Sequence, residues 1–181
     1  MTKLGIDSAE LRRMLARWPT GVCVITTAAQ DGTPIGKAAN SFHTVSMEPA
    51  LVSWCVDVGS TRYEDWVGAP GYVVHILSEE QLDLVGRFAR KGGDKFADLA
   101  WTKGPFGMPL LENAALRIVC QSWAQYPAGD HTYLVGEILT IEDQPHHPLL
   151  FHGGKPRPLG DLLSEHNARL SVSTPTESGA L

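Results

Sequence analysis

The feature that most constrains the fold is a pair of apolar runs joined by Asp31-Gly32, within the segment VCVITTAAQDGTPIG. An Asp-Gly dipeptide between apolar runs is typical of a β-hairpin, because it adopts the tight turns whose twist matches that of paired strands. Further strand-like runs follow along the chain: LVSWCVDV, YVVHIL, two long runs within ALRIVCQSWAQYPAGDHTYLVGEILTIED, and PLLFHGG. The ordering predicts a mainly β protein, an antiparallel β-barrel with short helices at its openings.

Three short helices are expected between these strands. Asp7 or Ser8 can cap a first helix, in which the apolar side chains recur with helical spacing at Leu11, Met14, Leu15 and Trp18. Ser60 or Thr61 can cap a second helix, which Pro70-Gly71 ends. Ser78 and Gln81 have the spacing of a capping box for a third helix, EEQLDLVGRFARK.

The chain has the length of one domain. Its 181 residues, 43% of them hydrophobic, suffice for one core and are few for two. We expect this domain to span residues 1–159, with a long irregular excursion over residues 91–112 that is rich in Gly, Pro and Lys. Residues 160–181 are rich in Ser, Thr, Glu and Pro without apolar periodicity, so we expect a flexible tail.

Net charge and the lengths of the apolar runs argue against nucleic acid and membrane as partners. A formal charge of −5 disfavours nucleic acid as a partner. The alternative is a local basic patch formed by Arg87, Arg90, Lys91 and Lys95. The sequence contains no apolar run of membrane-spanning length and no signal-peptide pattern in its first thirty residues. We therefore expect a cytoplasmic protein that binds neither nucleic acid nor membrane.

The cysteines and histidines indicate no metal site. Cys23, Cys55 and Cys120 each lie in an apolar run without a C-x-x-C pair, which is typical of reduced, buried thiols. His146 and His147 lie between prolines, as expected of an exposed turn rather than of metal ligands. The motifs of P-loop, Rossmann, α/β-hydrolase and zincin sites are missing from the sequence, so none of these chemistries is expected.

The stretch GKAANSFHTVSMEPALV contains an unusual cluster of small residues. Gly36, Ala38, Ala39, Asn40 and Ser41 either form an ordinary polar loop or allow a ligand to approach the backbone closely. From these residues alone the loop is the favoured interpretation, and the ligand is the alternative.

Three motifs taken together resemble a known family. LARWPTGVCVITT, AANSFHTVSMEPALV and YPAGDHTYLVGEI occur here in the order found in the flavin reductase-like, FMN-binding split-barrel family, and RFARKGGDKFADLAW resembles its linker region. The resemblance covers about residues 9–158. It implies a Greek-key antiparallel split barrel that reduces FMN or FAD with NADH or NADPH. It also implies a homodimer and a separate monooxygenase component that receives the reduced flavin.

The resemblance also implies a set of site residues. Ala38, Ala39, Asn40 and Ser41 would lie along the isoalloxazine ring, and His131 of the GDHT motif would lie near the nicotinamide as the catalytic residue. The flavin phosphate would lie at the hydroxyls and cations of a third group, namely Ser60, Thr61, Arg62, Arg90 and Lys91. Lys37, Ser46 and Phe151 complete the implied cofactor contacts.

Departures from the family pattern keep other functions open. The family usually has Thr at Ala38, a hydroxyl residue near Arg62, Asn at His75, and an aromatic followed by Arg-Gly where this chain has FHGG with His152. A flavin-dependent oxygenase or tailoring enzyme on the same fold is one alternative. A non-catalytic flavin or haem protein is another. Its candidate haem ligands are His75 and His152, although packing or solvent exposure is the favoured interpretation of both histidines.

Overall fold

A computed structural model describes residues 5–160. The expected flexible tail lies outside these residues except for Gly160, and the domain boundary at 159 stays a prediction. No helix among residues 5–160 has the length and apolar character needed to cross a membrane.

Strands dominate the described chain, as the sequence predicted. The strands are β1 (Thr20–Gly21), β2 (Cys23–Ala28), β3 (Pro34–Ala39), β4 (His43–Met47), β5 (Ala50–Asp57), β6 (Gly71–Ile76), β7 (Trp101–Lys103), β8 (Pro109–Leu111), β9 (Leu116–Ala128), β10 (His131–Asp143), β11 (Leu149–His152) and β12 (Lys155–Pro158). The helices are α1 (Ser8–Leu15), α2 (Tyr63–Val67) and α3 (Leu82–Ala89), with 3-10 turns at Glu79–Gln81 and Pro105–Gly107.

Seven strands form one antiparallel sheet in the order β3-β2-β6-β9-β10-β5-β4. The sheet encloses a single core, because buried side chains of β2, β5, β6, β9 and β10 belong to one apolar cluster. Trp54 is fully buried at its centre, with ring centroids 5.0 Å from Trp66 and 6.0 Å from Tyr72. Strands β3 and β4 are the two edges of this sheet.

A second apolar cluster joins α3 to the outer face of β2 and β3. Leu84 and Phe88 of α3 pack with Val24 of β2 and with Phe96 from the segment that follows the helix. Cross-strand pairing places Ala38 opposite Val24, whereas Ala39 lies opposite Cys23, which belongs to the barrel core. Successive residues of β3 therefore face α3 and the barrel interior in turn.

The predicted hairpins are confirmed. Asp31-Gly32 connects β2 to β3, and Gly32 has the positive φ of 82° that the turn requires. Strands β9 and β10 pair from His131↔Ala128 to Asp143↔Leu116. Their connection is shorter than the predicted four residues, because Pro127 and Ala128 continue β9 and only Gly129-Asp130 form the turn.

Two of the predicted helix starts are confirmed and one is wrong. Asp7 caps α1 by accepting from the N–H groups of Ala9 and Glu10, both at 2.8 Å. The side chain of Gln81 accepts from the Ser78 N–H at 3.2 Å, at the start of the third helical segment. Neither Ser60 nor Thr61 caps α2, because the N-cap residue is Arg62 and it makes no side-chain capping bond.

Several short strands were not predicted. Strand β4 has no apolar alternation, since four of its five residues are exposed. Strand β12 contains two prolines, which disfavour strands in a sequence reading. The excursion predicted over residues 91–112 is only partly irregular, because it contains the β7–β8 pair.

The predicted burial of the thiols holds best for Cys23 and Cys120. Both are buried, and this burial raises the pKa of each thiol to about 12. Cys55 is half-buried on β5. Thiolate chemistry near neutral pH is therefore disfavoured at Cys23 and Cys120.

Candidate active site

The candidate site is a groove beside β3, which we call the β3 groove. It lies between β3, the start of α2 and the end of α3, and has a volume of about 270 Å³. Seven of the predicted cofactor-binding residues line it: Lys37, Ala38, Ser60, Thr61, Arg62, Arg90 and Lys91. The fold thus brings together residues that lie far apart in the sequence.

The floor of the groove depends on the close approach of α3 to β3. A Cβ added to Gly36 would lie 2.3 Å from Cε1 of Phe88, so any larger residue at position 36 would push the helix away. At Gly36, the small residue is therefore explained by the packing of Phe88 against β3. Ala38 lies on the same face of β3 as Gly36 and lines the groove.

The groove is strongly cationic. Its lining includes Lys37, Arg62, Arg90, Lys91 and Lys95, against the single carboxylate of Asp57. Burial lowers the pKa of Lys95, and the positive charges of Lys37 and Arg90 lower it further. Arg62 is partly neutralised by Asp65, whose Oδ2 lies 2.6 Å from the guanidinium Nε. This donor set fits a ligand with one or more phosphate groups.

Lys95 is the most structurally engaged of these cations. Its Nζ donates to the carbonyl of Gly36 at 3.1 Å and to the carbonyl of Phe88 at 3.0 Å. It therefore ties β3 to the end of α3 across the groove. The sequence named Lys95 only within a possible basic patch, and its partner Gly36 is 59 residues away.

Ser60 and Thr61 reach the groove from the loop that follows β5. Asp57 orders this loop, since its Oδ1 accepts from the Gly59 N–H at 2.6 Å and its carbonyl accepts from the Ser60 N–H at 3.0 Å. Helix α2 has only five residues, so its end is a weak anion site, and an anion here would be bound mainly by the two hydroxyls and the nearby cations.

Four other residues predicted from the small-residue stretch lie outside the groove lining: Ala39, Asn40, Ser41 and Ser46. Ala39 packs against the barrel core. Asn40 is exposed between β3 and β4, whereas the Ser41 hydroxyl accepts from the Cys55 N–H at 3.0 Å. Ser46 lies on β4 opposite Leu51. Their predicted contacts with a flavin ring stay predictions.

His131 begins β10 next to the wall of the groove. Its register partner on β5 is Asp57, which lines the groove. The imidazole Nδ1 lies 2.7 Å from Oδ1 of Asp130, and 42% of the side chain is exposed. This hydrogen bond and the proximity of the imidazole lower the pKa of Asp130. His131 therefore has a carboxylate partner and a solvent-accessible ring.

His75 cannot serve as a haem ligand. It is fully buried, and both ring nitrogens are engaged: Nδ1 with the carbonyl of Val24 at 3.0 Å and Nε2 with the N–H of Leu111 at 3.0 Å. Since the Leu111 N–H must donate to Nε2, the Nδ1–H donates to Val24. The sequence favoured a packing role for His75 over haem ligation, and the structure agrees, because the histidine connects β2, β6 and β8.

Phe151 and His152 lie on β11, away from the β3 groove lining. Phe151 packs against the second apolar cluster, and His152 pairs in register with Lys155 of β12. Among residues 5–160, no group of three or more His, Cys, Asp or Glu side chains is arranged to hold a metal ion.

Comparison with known proteins decides the family. The model of the flavin reductase-like domain matches residues 15–160. The chain belongs to this family. The predicted split-barrel fold is confirmed by the solved flavin reductases that it resembles.

Sequence similarity to individual proteins supports the same family assignment for this flavin reductase-like protein. It is 38% identical to the FMN reductase (NADH) SmoA of Agrobacterium fabrum, over 83% of this chain and 85% of that protein. It is 39% identical to the reductase component of a flavin-dependent trigonelline monooxygenase of Acinetobacter baylyi. That alignment covers 71% of this chain but only 42% of the Acinetobacter protein.

A solved structure shows the same similarity. The NADH:FAD oxidoreductase SgcE6 of Streptomyces globisporus superposes with a TM-score of 0.79 at 33% identity, covering 86% of this chain and 95% of that one.

Proposed function

We propose that the protein is an NAD(P)H-dependent reductase of FMN or FAD that supplies reduced flavin to a separate monooxygenase. The observation that carries the proposal is the cationic β3 groove, next to His131, in a chain of the flavin reductase-like family. Relatives named as flavin reductases and as reductase components of monooxygenases support it.

The residues of this chain would bind and orient the reactants. Arg90, Lys91 and Lys37 would hold the flavin phosphate together with the Ser60 and Thr61 hydroxyls. Ala38 would leave room for a flat ring against β3. Flavin and reduced nicotinamide, when bound, supply the hydride acceptor and donor, so the protein has to provide position and exclusion of water. His131 would orient the nicotinamide through its exposed ring.

Exposed apolar side chains support the proposal of a homodimer. Met47 of β4 is 90% exposed, and Trp123 and Tyr126 of β9 are more than half exposed. Such side chains are typical of protein interfaces. Light scattering over a range of protein concentrations tests this, and a monomer at all concentrations would contradict it. The expected cytoplasmic location stays a prediction.

The activity is tested by adding FMN or FAD to the purified protein and following the loss of NADH or NADPH absorbance. Flavin-dependent oxidation of the nucleotide is the expected result. Tight flavin binding without nucleotide oxidation would contradict the reductase.

Tight flavin binding without nucleotide oxidation would favour a flavin-dependent tailoring enzyme. One relative supports this candidate: the chain is 36% identical to the actinorhodin polyketide dimerase of Streptomyces coelicolor, over 75% of this chain and 78% of that protein. A haem spectrum in the purified protein would contradict both candidates.

A further inference from the structure

The loop between β5 and α2, residues 58–62, is tied to the β9–β10 hairpin at both ends, and we call it the β5–α2 loop. At its start, the N–H of Val58 donates to the carbonyl of Asp130 at 3.0 Å. Directly after its end, the hydroxyl of Tyr63 lies 2.6 Å from the hydroxyl of Thr132, which is hydrogen-bond distance. One main-chain bond and one side-chain bond therefore hold the loop against the hairpin.

The two bonds bracket His131. They reach the residues immediately before and after it, Asp130 and Thr132. His131 itself is the register partner of Asp57, the last residue of β5. A shift of the β5–α2 loop against the hairpin would therefore change the separation between the imidazole and the hydroxyls that the loop contributes to the β3 groove.

The side-chain bond has a firm support on each side. The ring of Tyr63 packs against the barrel core, and its N–H donates to the carbonyl of Ser60 at 3.1 Å, so the start of α2 carries the hydroxyl in a defined direction. Thr132 is buried, and a buried hydroxyl is costly to leave without a partner. The structure therefore favours this one arrangement of the loop and β10.

Neither member of this pair touches the β3 groove itself. Tyr63 directly follows Arg62, and Thr132 directly follows His131, yet the groove lining includes neither Tyr63 nor Thr132. Removing either hydroxyl therefore takes no ligand-binding group from the groove. An effect on the reaction would have to pass through the neighbouring residues.

We propose that Tyr63 is a positioning residue for flavin reduction, whose hydroxyl fixes the separation of the β5–α2 loop and His131 through Thr132. The inference rests on the proposed flavin reductase function. In that function the loop would hold the phosphate end of the flavin and His131 would orient the nicotinamide. The bond would thus set how the hydride donor meets the flavin, and a misplacement of about 1 Å can cost about a hundredfold in rate.

The test removes single hydroxyls. Tyr63→Phe keeps the ring in the core, and the buried Trp66 still anchors α2, so the variant should fold. The matched control is Tyr133→Phe, because the Tyr133 hydroxyl accepts from the Ser53 hydroxyl at the same distance of 2.6 Å. That bond joins β10 to β5, which main-chain pairing already joins, so its loss should leave His131 in place.

Stopped-flow reduction by NADH measures the rate of flavin reduction, and flavin fluorescence measures the flavin dissociation constant. Tyr63→Phe should lower the rate by about fivefold or more, while the flavin dissociation constant stays within about twofold. Tyr133→Phe should change both quantities by less than about twofold. Thermal unfolding of each variant checks that the fold is retained.

Substitutions at Thr132 separate positioning from stability. Thr132→Val removes the same hydrogen bond from the other side and should lower the rate as Tyr63→Phe does. Thr132→Ser keeps a hydroxyl and should restore a nearly normal rate. If the variants lower only the unfolding temperature, and the rate per folded molecule is normal, Tyr63 supports the barrel and the inference is wrong. A loss of flavin affinity as large as the loss of rate would also overturn it.

A double-mutant cycle with His131→Ala tests whether Tyr63 acts through His131. In the His131→Ala background, Tyr63→Phe should lower the rate by less than about twofold further. The same loss in both backgrounds, or a normal rate in His131→Ala alone, would overturn the inference while the reductase activity stands. If the unaltered protein does not oxidise NADH when flavin is added, the proposed function and this inference are both wrong.

Discussion

Two depressions flank helix α2, and their linings carry opposite charge. The β3 groove is lined by five cations and one carboxylate. On the other side lies what we call the α2 hollow, which is larger at about 550 Å³ and whose only charged lining residues are Glu64 and Asp65. Volume alone would favour the α2 hollow as a ligand site, whereas charge favours the smaller β3 groove for a phosphorylated ligand.

The largest effect on flavin binding is expected from reversing one charge in the β3 groove. Arg90→Glu removes a cation from the β3 groove and places an anion beside the proposed position of the flavin phosphate. We expect flavin affinity to fall by about 2–3 kcal/mol, or roughly 30- to 150-fold, the range for losing a hydrogen bond to a charged group. Flavin fluorescence titration measures it.

The matched control reverses a charge in the α2 hollow. Glu64 is exposed there, so Glu64→Lys should leave both the fold and the flavin dissociation constant unchanged. Equal losses of affinity in the two variants would show that total charge, rather than the β3 groove, governs binding.

At His131 we expect an effect on the rate of flavin reduction rather than on flavin affinity. His131→Ala should lower the rate of flavin reduction by about tenfold or more while flavin affinity stays within about twofold, because in the proposed role the ring would orient the hydride donor only in the reactive complex. Stopped-flow reduction by NADH measures the rate. The control is His43→Ala, an exposed histidine on β4 that should have little effect. A normal rate in a destabilised His131 variant would mean a structural role.

A smaller effect is expected at the loop that follows β5. Replacing both Ser60 and Thr61 by Ala should weaken flavin binding by about 1–3 kcal/mol, the cost of losing hydrogen bonds to a charged group. The structure places the value at the lower end, because α2 is short and begins at Arg62. An unchanged dissociation constant would place the phosphate elsewhere in the groove.

The smallest effect on flavin binding is expected at His75, which should instead govern stability in acid. Burial lowers the pKa of His75 to about 3, an effect that nearby Arg117 increases, while the hydrogen bond to Val24 opposes it. Below about pH 6.5 the unfolded chain therefore takes up a proton at His75 that the folded protein does not. The free energy of unfolding decreases as the pH is lowered through this range.

This titration should cost about 2 kcal/mol between about pH 7 and about pH 5. Denaturant unfolding of the unaltered protein and of His75→Gln measures it, since the variant loses this proton uptake but keeps polar groups for Val24 and Leu111. Parallel stability profiles for the two proteins would mean that His75 does not titrate in this way.

Local patterns were enough to predict much of the fold. The Asp31-Gly32 turn, the long β9–β10 pair and the Gln81 contact that begins the third helical segment all depend on residues close in sequence. Strands β4 and β12 were missed because exposure and proline removed the apolar alternation on which such predictions depend.

The candidate site was only partly accessible to sequence reasoning. Lys37, Ala38 and the Ser60–Arg62 segment were named from the family resemblance, and the fold places them on one groove. The contact of Gly36 with Phe88 and the Lys95 bridge were not predicted, because each joins segments that are adjacent only after folding.

The open edge at β3 has a further consequence for solubility. An edge strand can template pairing with another chain, and proteins often guard such edges with proline or lysine. Here Pro34 begins the strand without an N–H to offer, and Lys95 already occupies the carbonyl of Gly36. We therefore expect Lys95, which lines the β3 groove, to protect this edge as well, so that replacing Lys95 should promote edge-to-edge aggregation even without ligand.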